Sequence, residues 1–158
     1  MILLCVGTLG PFNRLVRAVD QWAWKNPASE IFAQIGDTSF VPRNMEYIKN
    51  FYSLTRRNRK FDRADLLICD LSVELLLPAC ERHLPVLALP RLSIFGEETG
   101  IDQITLARHL KSDEFITIAR DETHLQSLIS VTPARKKQTG GSEQPDTLTQ
   151  LLKTIRKA

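Results

Sequence analysis

No apolar run in this chain approaches the roughly 20 residues that a helix needs to span a bilayer, so none of its 158 residues is expected to form a membrane-spanning segment. Cysteine is scarce too. Cys5, Cys69 and Cys80 are odd in number, lack paired metal-ligand spacing and fall in segments that read as strands or helix. That disfavours a disulfide framework or a zinc site and predicts buried, reduced thiols in a reducing, cytoplasmic compartment. The apolar run Ile2 to Val6 has no charged leader and reads as a first strand rather than a signal peptide. A strong charge of one sign is also missing from most of the chain. The net charge is +3, but residues 131–158 hold six Lys or Arg against two acids, a surplus of four, so residues 1–130 carry −1. Nucleic acid is not an expected partner. His83, His109 and His124 are scattered, with no catalytic partner in sequence.

What is present is an ordinary globular composition, 43% hydrophobic and 25% charged, enough for one well-filled core. The organising stretch runs from Asp65 to Gln103. Leu66 to Cys69 and Val86 to Leu89 are apolar runs without polar alternation, as expected of strands covered on both faces. The segment between them has the length of a crossover helix. Ile2 to Val6, Glu30 to Ile35, Met45 to Phe51 and Phe115 to Ile118 read as further strands. Helices are expected after Pro11, where Phe12, Leu15, Val16, Val19, Trp22 and Ala23 recur at helical spacing, and around Thr55 to Ala64, Ile101 to Leu110 and Asp121 to Ile129. The alternation predicts a doubly wound α/β domain over residues 1–130, its mostly parallel sheet carrying helices on both faces. Residues 131–145 read as a flexible basic linker and 146–158 as a C-terminal helix with Leu148, Leu151, Leu152 and Ile155 on one stripe.

In such sheets ligands sit beyond the carboxyl ends of the strands, where helix N-termini present free N–H groups. The turn Gly7-Thr8-Leu9-Gly10-Pro11, the turn Asp70 to Val73 and the loop Arg91 to Gln103 are therefore the candidate ligand loops. Asp70, just past a strand, suits helix capping, with a general-base role as the other reading. Arg91 suits a diphosphate or a partner surface, with a surface salt bridge as the other reading. The basic run Arg56, Arg57, Arg59, Lys60 and Arg63 invites a phosphate or anionic-lipid reading, although a solvated helix face is the usual outcome of such a run.

The pieces Val6-Gly7-Thr8, Ala33-Gln34-Ile35-Gly36, Pro90-Arg91, Phe95-Gly96-Glu97 and Gln103 occur in an order and spacing that resemble the C-terminal half of GT-B glycosyltransferases. The chain is similar to glycosyltransferase family 28 over residues 2–130, and specifically to the small subunits that supply the donor half of split enzymes. The resemblance implies a Rossmann-like half of a GT-B fold that binds a UDP-sugar as substrate, without cofactor or metal. It also implies transfer to a polysaccharide or lipid-linked acceptor held by an acceptor-half partner subunit, often a membrane-associated one that would bring this chain to the inner face of the membrane. A homo-oligomer is left open. Donor-binding residues carried over are Gly7, Thr8, Ser72, Val73, Arg91, Phe95, Gly96, Glu97, Asp102 and Gln103; no catalytic base is assigned.

The departures are equally specific. Where the family has Ser-His-Gly-Gly, this chain has Cys69-Asp70-Leu71-Ser72, followed by Val73 and Glu74, which puts side chains and two carboxylates where backbone should meet phosphate. Pro78 stands where a ribose-binding Glu is usual, Leu9 replaces a His, and Ile101-Asp102-Gln103 replaces Asp-His-Gln. Two expectations follow: a transferase with a rebuilt donor pocket, or a catalytically inactive half domain acting as a binding or regulatory subunit.

Overall fold

A computed structural model describes residues 1–97, 102–110 and 115–132. The linker and C-terminal helix expected over 131–158 lie almost entirely outside the described residues. The order of elements is β1 (Ile2–Cys5), α1 (Asn13–Lys25), β2 (Ile31–Gln34), β3 (Glu46–Ile48), α2 (Leu54–Arg63), β4 (Leu66–Cys69), α3 (Val73–Glu81), β5 (Val86–Ala88), α4 (Gln103–His109), β6 (Ile116–Ile118) and α5 (Glu122–Val131). The six strands form one sheet in the order β3-β2-β1-β4-β5-β6, and every pairing is parallel. This is the doubly wound Rossmann order.

The sheet separates two apolar layers. Leu4, Val6, Ile68 and Leu87 point to the side covered by α1 and α5. Leu3, Cys5, Leu67 and Cys69 point to the side covered by α2, α3 and α4 through Phe61, Leu76 and Leu106. β1 and β4, at the centre, are almost wholly buried, which accounts for their unbroken apolar sequences. Cys5 and Cys69 face each other in register; burial pushes both thiols well above their ordinary range, so they stay protonated. All three cysteines are free, as expected.

Several elements differ from expectation in physically readable ways. The third strand is only three residues long. The loop that leads into it is tied down by buried Asp20 on α1, which accepts hydrogen bonds from the Arg43 and Asn44 N–H groups at 2.9 and 2.8 Å. The fourth helix begins at Gln103, with Asp102 as its N-cap; Ile101 lies outside the described residues. Asp121 caps α5 as anticipated. α3 runs through Pro78, which has no N–H to offer the Glu74 carbonyl four residues earlier. The Arg57 guanidinium of α2 donates to that orphaned carbonyl instead.

Candidate functional site

The connections after β1 and β4 lead to opposite halves of the sheet, and the crevice between them is the topological switch point where this architecture places ligands. Gly7 and Thr8 lie on one side of it. Asp70, Leu71, Ser72 and the start of α3 lie on the other. The two turns pack so closely that a Cβ on Gly7 would lie 2.1 Å from Ser72 Oγ and 3.0 Å from Asp70 Oδ1. Glycine at position 7 is therefore required by close approach, not by backbone conformation.

The corner between Gly7 and α3 presents free backbone N–H groups. No acceptor among the described residues meets the Ser72, Val73 and Glu74 N–H groups, which lie at the positive end of the helix dipole. A carboxylate of the chain itself reaches across the corner to the Gly7 turn. Glu74 accepts from the Thr8 N–H at 2.7 Å through Oε1 and from the Thr8 hydroxyl at 3.0 Å through Oε2. Beside it, two buried oxygens, Asp70 Oδ1 and Ser72 Oγ, have no hydrogen-bond partner among the described residues.

Arg91, immediately beyond β5, is 4% exposed and turns inward. Its Nε donates to Asp70 Oδ2 at 2.5 Å, and its terminal nitrogens donate to the carbonyls of Pro11 at 2.9 Å and Gly10 at 3.0 Å. The guanidinium also lies over the Phe12 ring, 4.7 Å from its centre. This corrects the capping reading of Asp70 and the surface salt bridge of Arg91. Asp70 does not cap α3; Ser72 occupies the N-cap position without a side-chain cap bond. Arg91 does not make a surface salt bridge but a buried one that ties β4, β5 and the Gly10–Pro11 turn together.

The rest of the second loop is similarly engaged. Gln103 is buried, and its Oε1 accepts from the Leu71 N–H at 3.1 Å and the Arg91 N–H at 3.0 Å, clasping the loops after β4 and β5. Glu97, carried over as a donor-binding residue, accepts from Arg14 through both oxygens, at 3.1 and 2.9 Å, and from the Leu92 N–H at 3.0 Å. Phe95 is exposed, with Arg14 5.2 Å from its ring centre. Gly96 adopts a left-handed turn with φ 67°. Asp102 is solvent-facing and accepts from the Ile104 N–H and the Thr105 hydroxyl; bonds from the Thr105 hydroxyl and N–H hold its carboxyl below the ordinary carboxylate range. Val73, half-buried, opens α3.

Thus the fold brings Gly7, Thr8, Ser72 and Val73 to one corner with Glu74, while Arg91, Glu97 and Gln103 brace the loops around it. Arg14 was not singled out from sequence. It joins Glu97, the Pro90 carbonyl at 2.7 Å and Glu122 at 3.4 Å, and its place one residue into a helix after a glycine-rich turn was the only cue. Among the described residues no cluster of His, Cys, Asp and Glu could hold a metal, and no helix is long and apolar enough to cross a membrane.

No protein-family model and no curated protein sequence matches this chain. Among solved structures, it is similar to the molybdenum cofactor binding protein from the phototrophic bacterium Rippkaea orientalis, with a TM-score of 0.52 and 12% identity over 82% of this chain and 94% of that one. That likeness concerns the fold, which is Rossmann-like in accord with the strand order. The glycosyltransferase SnogD from Streptomyces nogalater aligns with a TM-score of 0.48 and 13% identity over 99% of this chain; the chain spans 43% of that protein's length.

Proposed function

We propose that this chain is the donor-side half of a two-part glycosyltransferase, binding the diphosphate of a UDP-sugar at the α3 corner and relying on an acceptor-half partner for the catalytic base. The observation that carries the reading is the Thr8–Glu74 contact: at the switch point, beside Gly7 and a helix N-terminus, the fold already accommodates a carboxylate. The motif resemblance in residues 2–130 supplies the class of ligand. A diphosphate would take over the Thr8 N–H and hydroxyl together with the free N–H groups of Ser72 to Glu74, after Glu74 swings outward. Ser72 Oγ offers the same ligand a hydroxyl donor, whereas Asp70 Oδ1 is an acceptor whose charge Arg91 offsets. Arg91 and Gln103 act as positioning residues, since the Arg91 guanidinium and the Gln103 Oε1 are engaged by the loops they hold.

The second reading, a catalytically inactive half domain with a binding or regulatory role, is favoured by the same contact taken as permanent, because Glu74 then opposes any anion. Calorimetric titration with UDP separates the two. Removing the competing carboxylate by Glu74→Ala is expected to tighten UDP binding by about tenfold, the equivalent of about 1.4 kcal/mol. No heat of binding from wild type or Glu74→Ala, alone or co-expressed with an acceptor half, would establish the second reading in its place.

A further inference from the structure

Away from the switch point, α2 carries five cations and one acid in ten residues. Its first turn contains no acid while Arg56 and Arg57 stand near its N-terminus, an arrangement that works against the helix dipole. Some of these charges have work within the fold. Arg57 satisfies the Glu74 carbonyl, Asp62 pairs with Arg82 at 2.7 Å, and Arg63 reaches Glu30 at 3.8 Å across an exposed gap. Arg56 and Arg59 form no ion pair among the described residues, and the Lys60 ammonium lies 3.4 Å above the centre of the Phe32 ring.

These three cations rim a depression of about 540 Å³ between α2 and the sheet edge, whose floor is Phe32, Ile48 and Phe51. Glu46 and Asp62 also border it, and Asp62 is neutralised by Arg82. Next to the floor, Tyr52 and Leu54 flank the N-cap Ser53 and are 87% and 71% exposed. An excess of positive charge, an apolar floor and adjacent protruding apolar groups thus share one short segment.

We propose that the face formed by Tyr52 to Lys60 docks on an anionic phospholipid surface, with a headgroup phosphate among Arg56, Arg59 and Lys60 and with Tyr52 and Leu54 entering the interfacial layer. A free phosphate would use the cations but give no reason for the exposed Tyr52 and Leu54. A membrane uses both, through headgroup charge and interfacial burial. The inference is independent of any ligand at the α3 corner.

The test is co-sedimentation of the full chain with vesicles of phosphatidylcholine alone and of phosphatidylcholine mixed with phosphatidylglycerol. Binding is expected to the mixed vesicles only and to weaken as salt is raised. Arg56→Ser with Arg59→Ser should reduce it roughly 30-fold, at about 1 kcal/mol per surface cation. Tyr52→Ser with Leu54→Ser should weaken it at constant salt, and circular dichroism should show both variants folded. Equal binding to the two vesicle types would overturn the proposal. So would full binding by the Arg56/Arg59 variant, which would place the contact elsewhere in the chain. Soluble glycerol phosphate bound as tightly as the vesicles would identify a free-anion site instead, and tighter binding to duplex DNA at the same salt would identify a general polyanion surface.

Discussion

At the carboxyl end of the sheet, Arg91, Arg14, Asp70 and Glu97 turn inward and meet one another or loop carbonyls. On α2, Arg56 and Arg59 are exposed, line the depression beside the sheet edge and form no ion pair among the described residues. Both regions are rich in charge, yet only the first is constrained by desolvation. A buried guanidinium must have its donors satisfied where it lies, so Arg91 is fixed by what the fold needs. An exposed arginine costs little in any rotamer, which leaves it free for a partner outside the chain. Charge near a ligand loop is therefore poor evidence of ligand contact until its burial is known.

The largest effect should come from breaking the central pair. Arg91→Met leaves the Asp70 carboxylate buried and unopposed, and a loss of about 3–5 kcal/mol is expected, read from the midpoint and slope of urea unfolding. Adding Asp70→Asn should recover part of that loss, since the uncompensated charge is then gone. A single Arg91→Met variant as stable as wild type would show that the inward charges are no more constrained than those of α2.

Smaller losses should follow at the clasp and the close approach. Gln103→Leu strands the Leu71 and Arg91 N–H groups and is expected to cost about 2–3 kcal/mol. Gly7→Ala drives a methyl into Ser72 and should cost about 1–3 kcal/mol. Ser72→Gly should restore most of the second loss, whereas Ser72→Ala should not, because the Ser72 Cβ itself lies 2.8 Å from the new methyl. Differential scanning calorimetry of the four proteins checks both points.

The architecture was readable from sequence because it rests on local pattern: apolar runs for β4 and β5, periodicity for α1, Asp121 ahead of α5. The α3 corner was half readable. Glu74 stood out in sequence as a carboxylate next to the turn, and in the structure it accepts from Thr8 across 66 residues. What could not be read was the direction in which Arg91, Gln103 and Glu97 point. Each lies in a ligand-type loop, and apart from the Leu92 N–H that Glu97 meets, its partners lie 12 to 84 residues away in sequence, so only tertiary packing decides which groups it reaches. The Arg57–Glu74 contact was hidden for the same reason, although Pro78 announced that the Glu74 carbonyl would need another donor.

A pH titration extends the comparison to an exposed charge engaged by its own helix. The Asp102 pKa is held below its ordinary 3.8 by the Thr105 hydroxyl and backbone bonds. Its cap therefore contributes fully above that value and is lost as pH falls through the lower, folded-state pKa. Urea midpoints followed from neutral pH into the carboxylate range should fall less steeply for Asp102→Asn than for wild type, since the amide caps without titrating. Identical slopes would mean that the cap adds nothing to the acid limb.

The smallest effect is expected on α2, where it sharpens the contrast most. Arg59→Ser removes a cation with no ion pair and should change unfolding stability by no more than about 0.5 kcal/mol. The residue lies too far along the helix for a serine cap, so a small loss of helix propensity opposes the relief of repulsion from Arg56 and Arg63. Raising the salt should narrow the difference between variant and wild type, as screening removes the repulsive part. A loss of several kcal/mol would mean that Arg59 is bound into the fold as firmly as Arg91, and the outward face of α2 would then have no charge to spare for a partner.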